Sequence, residues 1–240
     1  MTQAGSGGRI EAYRAARATV LRRIAAACQR AGRDPAAVTL VAVSKTVDAE
    51  PLRDAVAVGL DLLGENRVQE AAAKAPLVPG ARWHLVGPLQ ANKARRALEV
   101  FDAIESVDSV GLAERIDRLA REIRPGTRYS ILLQVNVDDD PAKAGFDPAA
   151  LEASAARIVE LEALDVRGLM TIGRLVTDPQ AARPTFRRLR ELSVALRDAG
   201  VPIGSELSMG MTDDFEVAVE EGATIVRVGR ALFGERHQAG

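Results

Sequence analysis

The sequence is short of cysteine, of aromatic residues and of long apolar runs, and each shortage excludes a class of protein. Cys28 is the only cysteine, so no internal disulfide can form and a reducing cytosol is expected. Aromatic residues make up 3% of the chain and apolar residues 47%, so the core must consist mainly of Ala, Val, Leu and Ile. No apolar run approaches the length of a membrane span, and residues 1–8 lack the apolar segment of a signal peptide.

Neither the charge balance nor the number of metal-binding residues points to nucleic acid, a membrane surface or a metal ion as a partner. Lys plus Arg number 32 and Asp plus Glu 33, a formal net charge of -1, whereas nucleic-acid and membrane-surface proteins carry basic patches. Two histidines and one cysteine leave no metal site of the usual composition. We therefore expect no nucleic acid, membrane or metal partner, and we expect a cytoplasmic monomer or weak dimer.

Helical and strand-like segments alternate along the chain. A leading helix is predicted over residues 9–31, where apolar residues recur at helical spacing. Eight predicted strands follow, each before a helix, over residues 40–44, 60–63, 83–86, 103–106, 129–137, 166–170, 206–207 and 224–228. Strict alternation implies right-handed crossovers and a parallel sheet. Eight units in 240 residues favour a single (β/α)8 TIM-type barrel with an extra N-terminal helix.

An open doubly wound sheet is the alternative fold, but residues 44–46 are not the glycine-rich fingerprint that its first strand requires. No linker interrupts the alternation, so one domain is expected. We predict a disordered Gly/Ser-rich tail over residues 1–8, the barrel over residues 9–236 and a short tail over residues 237–240.

Lys45 stands directly after the first predicted strand. Val-rich runs without alternation, such as Leu40 to Ser44, are typical of a strand covered on both faces. Barrels of this kind hold their active sites at the carboxyl ends of the strands. Partial desolvation of a lysine lowers its pKa and makes the amine a nucleophile. The alternative is a strand-end lysine that simply reaches water.

Other polar residues follow or end the predicted strands. This ring comprises Asn66, His84, Ser106, Asp108, Asn136, Met170, Ser208 and Arg227. A lone histidine within a strand is more often a hydrogen-bonded structural residue than a base. Arg227 alternates with Val226 and Val228, which directs it into the barrel mouth. Two roles are possible for Arg227: it contacts a ligand, or it forms a structural ion pair with a carboxylate such as Glu206. A buried charge needs a partner in either case.

Glycine-containing turns follow the last two strands, over residues 208–212 (Ser-Met-Gly-Met-Thr) and 228–230 (Val-Gly-Arg). Glycine lets backbone N–H groups approach an anion, and barrels often bind phosphate after strands seven and eight. A reactive lysine together with a phosphate cradle indicates a Schiff base with a phosphorylated aldehyde. Pyridoxal 5′-phosphate is the prime candidate.

Six segments together resemble the pyridoxal phosphate homeostasis protein family, whose members are single-domain barrels similar to the amino-terminal domain of alanine racemase. The segments are VAVSKT (41–46), GENRVQE (64–70), WHLVGPLQANK (83–93), GLMTI (168–172), LSMGMTDD (207–214) and VRVGRALFG (226–234). The resemblance extends over residues 10–236.

The resemblance implies roles for individual residues. Lys45 matches the lysine that forms the Schiff base, Asn66 an asparagine that lines the cofactor, and Arg227 the arginine that faces the pyridine nitrogen. Ser208, Gly229 and the backbone of Arg230 match the phosphate site, although the family usually has Thr or Ser at position 230. The complete set of candidate cofactor contacts is Lys45, Asn66, His84, Met170, Ser208, Met209, Gly210, Arg227, Gly229 and Arg230.

The implied function is to hold pyridoxal phosphate and to buffer its supply, with apo-enzymes that depend on this cofactor as partners and no established turnover. A weak amino acid racemase is the main alternative. Racemisation needs a second base on the opposite face of the substrate, which racemases supply from a tyrosine of an additional domain. The two tyrosines here, Tyr13 and Tyr129, are predicted away from the catalytic end. A Schiff-base aldolase and a cofactor-sensing regulatory protein are further alternatives.

Overall fold

The computed structural model of the chain describes residues 6–174 and 176–234 and contains a closed barrel of eight parallel strands in chain order. The strands are β1 (Thr39–Val43), β2 (Leu62–Glu65), β3 (Arg82–Leu85), β4 (Ala103–Val107), β5 (Tyr129–Gln134), β6 (Leu164–Met170), β7 (Glu206–Ser208) and β8 (Ile225–Val228). β1 pairs with both β2 and β8, which closes the barrel. The predicted fold class is confirmed.

Helices surround the barrel and follow the strands as the alternation predicts. They are α1 (Ser6–Arg30), α2 (Ala49–Ala57), α3 (Val68–Lys74), α4 (Ala94–Val100), α5 (Val110–Ile123), α6 (Leu151–Val159), α7 (Arg183–Asp198), α8 (Phe215–Glu220) and α9 (Arg230–Phe233). Short 3-10 turns lie at Pro35–Ala37, Ala75–Leu77, Ala91–Lys93 and Pro179–Ala182. Over the described ranges, no helix has both the length and the apolar character that a membrane crossing requires.

The leading helix begins earlier than the sequence indicates. Residues 6–8 were assigned to a disordered tail, yet they form the first turn of α1. The neighbouring Arg9 explains this, because its Nε donates to Asp54 Oδ2 at 2.6 Å and its guanidinium also pairs with Glu50, both on α2. These ion pairs fix the start of α1 against the barrel. Residues 1–5 and the predicted tail over 237–240 lie outside the described residues.

Alternation along each strand divides the apolar side chains into two layers. A small inner cluster fills the barrel, with Val41, Leu62, Val86, Leu132, Met170 and Ile225 buried and Val43 and Ile172 packed against it. A larger outer cluster lies between strands and helices and contains the fully buried Cys28. Since Val41 and Val43 face inward, every second residue of β1 points towards the barrel axis. This division decides which polar side chains reach the barrel mouth.

Candidate functional site

The carboxyl ends of the strands, including that of β1, form the mouth of the barrel. Lys45 follows this strand by two residues and is partly buried. The facing wall of β2 carries Gly64, where a Cβ would lie 2.7 Å from Val41 Cγ1. Asn66 follows β2, and its carbonyl oxygen would lie 2.4 Å from a Cβ on Gly87. The turns that follow β2 and β3 therefore pack backbone to backbone at Asn66 and Gly87.

Polar side chains from four strands cross the barrel interior in one hydrogen-bonded chain, which we call the buried relay: His84, Glu105, Ser208 and Arg227. His84 Nδ1 lies 2.7 Å from Glu105 Oε1, and the other carboxylate oxygen accepts a bond from the Ser208 hydroxyl. Arg227 Nη1 donates to Ser208 Oγ at 2.6 Å. Glu105 and Ser208 are fully buried, Arg227 is 4% exposed, and the His84 side chain is 16% exposed. The relay thus runs from a buried guanidinium to an imidazole at its more exposed end.

The relay stabilises opposite charges inside the barrel. Burial is the largest single influence on Glu105 and opposes its ionisation, but the His84 hydrogen bond and charge, the Arg227 charge and the Ser208 bond together lower its pKa. Burial lowers the pKa of Arg227, while the charges of Glu105 and Asp214 act in the opposite direction. A guanidinium remains protonated at neutral pH, so Arg227 stays a donor.

Glu105 is the functional residue that the sequence reasoning missed. Glu206, the example suggested above for a structural ion pair with Arg227, does not have that role: it stands at the first residue of β7 and accepts from Arg167 Nη2 at 2.7 Å. The carboxylate inside the barrel belongs to β4. A charged residue between Ile104 and Ser106 in a predicted buried strand was the available signal, because a buried charge requires a buried partner. Strand alternation does not identify that partner across the barrel.

The glycine turns after β7 and β8 close against the mouth. Gly210 has φ +90°, and a Cβ there would lie 2.5 Å from Ala218 Cβ, so only glycine fits. Its carbonyl accepts the Arg227 N–H at 3.0 Å. A Cβ on Gly229 would approach the carbonyl oxygen of Val43 to 3.2 Å. Both turns therefore lie at the same end of the barrel as Lys45, and the second lies against the end of β1.

The remaining candidate contacts differ in position. Met170 is fully buried in the inner cluster. The Met209 side chain is buried in the outer cluster, and its N–H donates to the Ile225 carbonyl at 3.1 Å. Arg230 is exposed and pairs with Asp213 across the two glycine turns. Its guanidinium is directed to this carboxylate.

Two members of the predicted polar ring support loops instead. Ser106 Oγ donates to the Gly87 carbonyl at 2.6 Å. Asn136 donates to the Asp140 carbonyl at 2.9 Å and accepts the Asp140 N–H at 3.1 Å, which closes the acidic turn after β5. A cavity of about 170 Å³ lies beside this turn, lined by Pro88, Gln134, Val135, Asn136, Lys143, Ala144 and Ile172. Pro88, Asn136 and Ile172 follow β3, β5 and β6, so this cavity lies at the carboxyl end of the barrel.

Neither tyrosine belongs to the buried relay. Tyr129 stands at the first position of β5, and its hydroxyl donates to the Phe101 carbonyl at 2.7 Å. Burial raises the pKa of Tyr129. Tyr13, on α1, packs edge-to-face on Phe233 with ring centroids 5.5 Å apart. In the part of the chain that the structure describes, no three His, Cys, Asp or Glu side chains form a group that could hold a metal ion.

Comparison with known proteins agrees with this architecture. The family model of the alanine racemase N-terminal domain matches residues 17–237. A Pseudomonas aeruginosa protein named pyridoxal phosphate homeostasis protein is 44% identical over 223 residues, 91% of this chain and 94% of its own. An Aquifex aeolicus protein of the same name is 42% identical over 220 residues, 90% of this chain and 95% of its own.

A solved structure is similar over almost the same length. PipY of Synechococcus elongatus, whose structure has pyridoxal phosphate bound, superposes with a TM-score of 0.77 and 43% identity, covering 90% of this chain and all of PipY (100%). The family match and these identities over nearly complete chains lead to one assignment. The chain belongs to the alanine racemase N-terminal domain family and, within it, to the pyridoxal phosphate homeostasis proteins.

Proposed function

We propose that this protein binds pyridoxal 5′-phosphate covalently through Lys45 and takes part in intracellular homeostasis of this cofactor, without turnover of a substrate. The observation that supports the proposal is that Lys45 follows β1 and Arg227 lies on the neighbouring strand β8, so that both belong to the same part of the barrel wall. Arg227 is paired in register with Val41, and Lys45 lies further along the same strand direction, at the carboxyl end. An amine and a fixed guanidinium at one barrel mouth suit a ligand that carries an aldehyde and a ring nitrogen.

The chemistry of the side chains fits the cofactor. When bound, pyridoxal phosphate supplies an aldehyde carbon that condenses with a lysine amine and releases water. Arg227 is held by Ser208 and by the Thr171 carbonyl, which accepts from Nη2 at 2.7 Å. A guanidinium in this setting would donate to the ring nitrogen of the bound cofactor and would leave it unprotonated, because it has no acceptor. The turns of Gly210 and Gly229 supply the backbone approach that a phosphate group requires.

The relatives support a holding role. The Pseudomonas and Aquifex proteins are named for pyridoxal phosphate homeostasis, and PipY binds the cofactor. By the same reasoning the recipients of the cofactor are apo-enzymes in the cytoplasm. Asn66, beside Lys45, and His84, at the more exposed end of the buried relay, are the further side chains that we assign to the cofactor.

A binding titration tests this proposal. Dialysed protein is titrated with pyridoxal phosphate, and the visible absorbance and bound fraction are measured for the natural protein, Arg227→Met and Arg167→Met. The Arg227 variant should bind at least about tenfold more weakly, because it loses a hydrogen bond from a charged donor. The Arg167 variant removes a half-exposed arginine that pairs with Glu206 at the start of β7, and it should bind normally. Equal affinity of all three proteins contradicts the assigned role of Arg227.

The racemase alternative is separable by turnover. Loaded protein is incubated with L-alanine or L-serine, and the D-isomer is measured over time. The holding role predicts no steady production, and it predicts that added apo-enzyme regains activity as the loaded protein gives up its cofactor. Steady formation of the D-isomer would overturn the holding role.

A further inference from the structure

The backbone around Lys45 has an uncommon conformation. Residues 44–47 form a turn in which the Val47 N–H donates to the Ser44 carbonyl at 3.0 Å. Within this turn the exposed Thr46 has φ +69°. β-Branched residues rarely adopt this left-handed region, because their side chains crowd the backbone there. The backbone that carries Lys45 is therefore held in a conformation that its neighbour disfavours.

A buried ion pair lies behind this turn, on the outer side of the barrel wall. Lys74, the last residue of α3, donates to Glu65 Oε1 at 2.7 Å and to the Ser44 carbonyl at 3.1 Å. The Ser44 hydroxyl donates to the same Glu65 oxygen at 2.9 Å. Glu65 is fully buried and the Lys74 side chain is 13% exposed. Ser44 is thus gripped through both its carbonyl and its side chain, and we call these three residues the Ser44 clamp.

The Ser44 clamp buries charged groups, which costs more free energy than a purely structural contact requires. Glu65 Oε2 is buried and has no hydrogen-bond partner among the described residues, and burial raises the pKa of this carboxyl despite the opposing Lys74 and Ser44 contacts. Apolar residues of similar size commonly replace a buried ion pair with no loss of stability. A costly polar group beside a strained backbone is characteristic of functional sites, where strain is held by the surrounding structure.

We propose that Lys74 and Glu65 are positioning residues for Lys45: by holding Ser44 they maintain the strained Thr46 turn and so fix the backbone from which the Lys45 amine extends. This inference rests on the proposed function, since Lys45 is the residue to be positioned. Neither residue needs to touch a ligand. Their effect passes through the Ser44 carbonyl, which receives both the Lys74 ammonium and the Val47 N–H.

The alternative is that the ion pair merely attaches α3 to the sheet. The two readings differ in their response to glycine at position 46. Glycine adopts positive φ without steric cost, so a turn that contains it no longer depends on the Ser44 clamp. Thr46→Gly should therefore rescue a broken clamp if the clamp holds the turn. It should rescue nothing if the ion pair only attaches the helix.

The experiment compares Lys74→Met, Thr46→Gly, the double variant and Arg167→Met. The last variant is a matched control, because Arg167 and Glu206 form an ion pair with the same 2.7 Å N–O distance on other strands. Two quantities are measured: hydrogen exchange of the Val47 amide in protein free of pyridoxal phosphate, and the rate at which visible absorbance develops after its addition. Circular dichroism confirms that each variant is folded.

We expect Lys74→Met to exchange Val47 about tenfold faster and to react about tenfold more slowly, a factor that corresponds to about 1.4 kcal/mol. The double variant should return both quantities to within about threefold of the natural protein, and Arg167→Met should change neither. A Lys74 variant that matches the control, or a double variant without rescue, overturns the inference. If Lys74→Met does not fold, Ser44→Ala and its combination with Thr46→Gly provide the same comparison.

The two proposals fail differently. If the natural protein gains no absorbance but Lys74→Met still exchanges the Val47 amide faster, the cofactor assignment is overturned. The role of the Ser44 clamp in holding the turn then remains. A natural protein that binds the cofactor, with Lys74→Met binding equally fast, overturns the positioning role alone.

Discussion

Replacing Glu105 by Gln tests the buried relay. The substitution preserves the shape of the side chain and removes the negative charge that Arg227 faces in the barrel interior. Removal of one partner from a buried ion pair costs about 3–5 kcal/mol, because the other charge remains buried without compensation. We expect a loss of about 3 kcal/mol in the free energy of unfolding, at the lower end of that range because the amide still forms hydrogen bonds.

Urea denaturation measures this loss. With a dependence on urea of about 3 kcal/mol per molar, the midpoint should fall by about 1 M. Glu206→Gln is the matched control: it removes an ion pair whose carboxylate is 29% exposed, and it should cost less than about 1 kcal/mol. A Glu105→Gln midpoint equal to that of the control would refute the claim that the relay balances a buried charge.

Three further predictions concern stability. Gly210→Ala should destabilise the protein by about 1–3 kcal/mol more than Gly200→Ala. Both glycines have positive φ, but only at Gly210 would the added Cβ contact neighbouring atoms. Thermal denaturation of the two variants measures this difference. Burial is the largest influence on the Glu221 carboxyl, but its contacts with three arginines outweigh burial and lower its pKa below the usual 4.5. The stabilisation that Glu221 provides is therefore present above pH 4.5 and is lost as the pH falls through the lowered pKa. Glu221→Gln should reduce this loss of stability in acid, as measured by thermal denaturation over a series of pH values. Tyr129→Phe should cost about 1 kcal/mol on denaturation yet leave the absorbance with pyridoxal phosphate unchanged, since its hydroxyl only satisfies the buried Phe101 carbonyl just before β4.

The barrel was predictable from the sequence because its signals are local. Alternating short apolar runs and amphipathic helices define eight units, and the carboxyl end of each unit follows from chain direction alone. Arg227 was correctly directed into the barrel by its alternation with two valines. Even the three-residue strand β7 was located, to within one residue of its end.

Contacts between distant strands were not predictable in the same way. Glu105 and Arg227 are joined across the barrel through the Ser208 hydroxyl, and this connection depends on the register of every strand between them. The Ser44 clamp likewise joins the ends of two strands to a helix. The inward or outward direction of Met209 follows from where β7 ends, which a short strand leaves open. Whether the candidate residues bind a cofactor stays a prediction.

The most direct test of the account is to locate the covalent bond. Natural protein and Lys45→Ala are incubated with pyridoxal phosphate, reduced with borohydride, digested and analysed by mass spectrometry. The account predicts a visible absorbance in the natural protein, a reduced label on the peptide that contains Lys45, and neither signal in the variant. An equal absorbance in the variant, or a label confined to other lysines, would contradict the assignment of Lys45 as the residue that holds the cofactor.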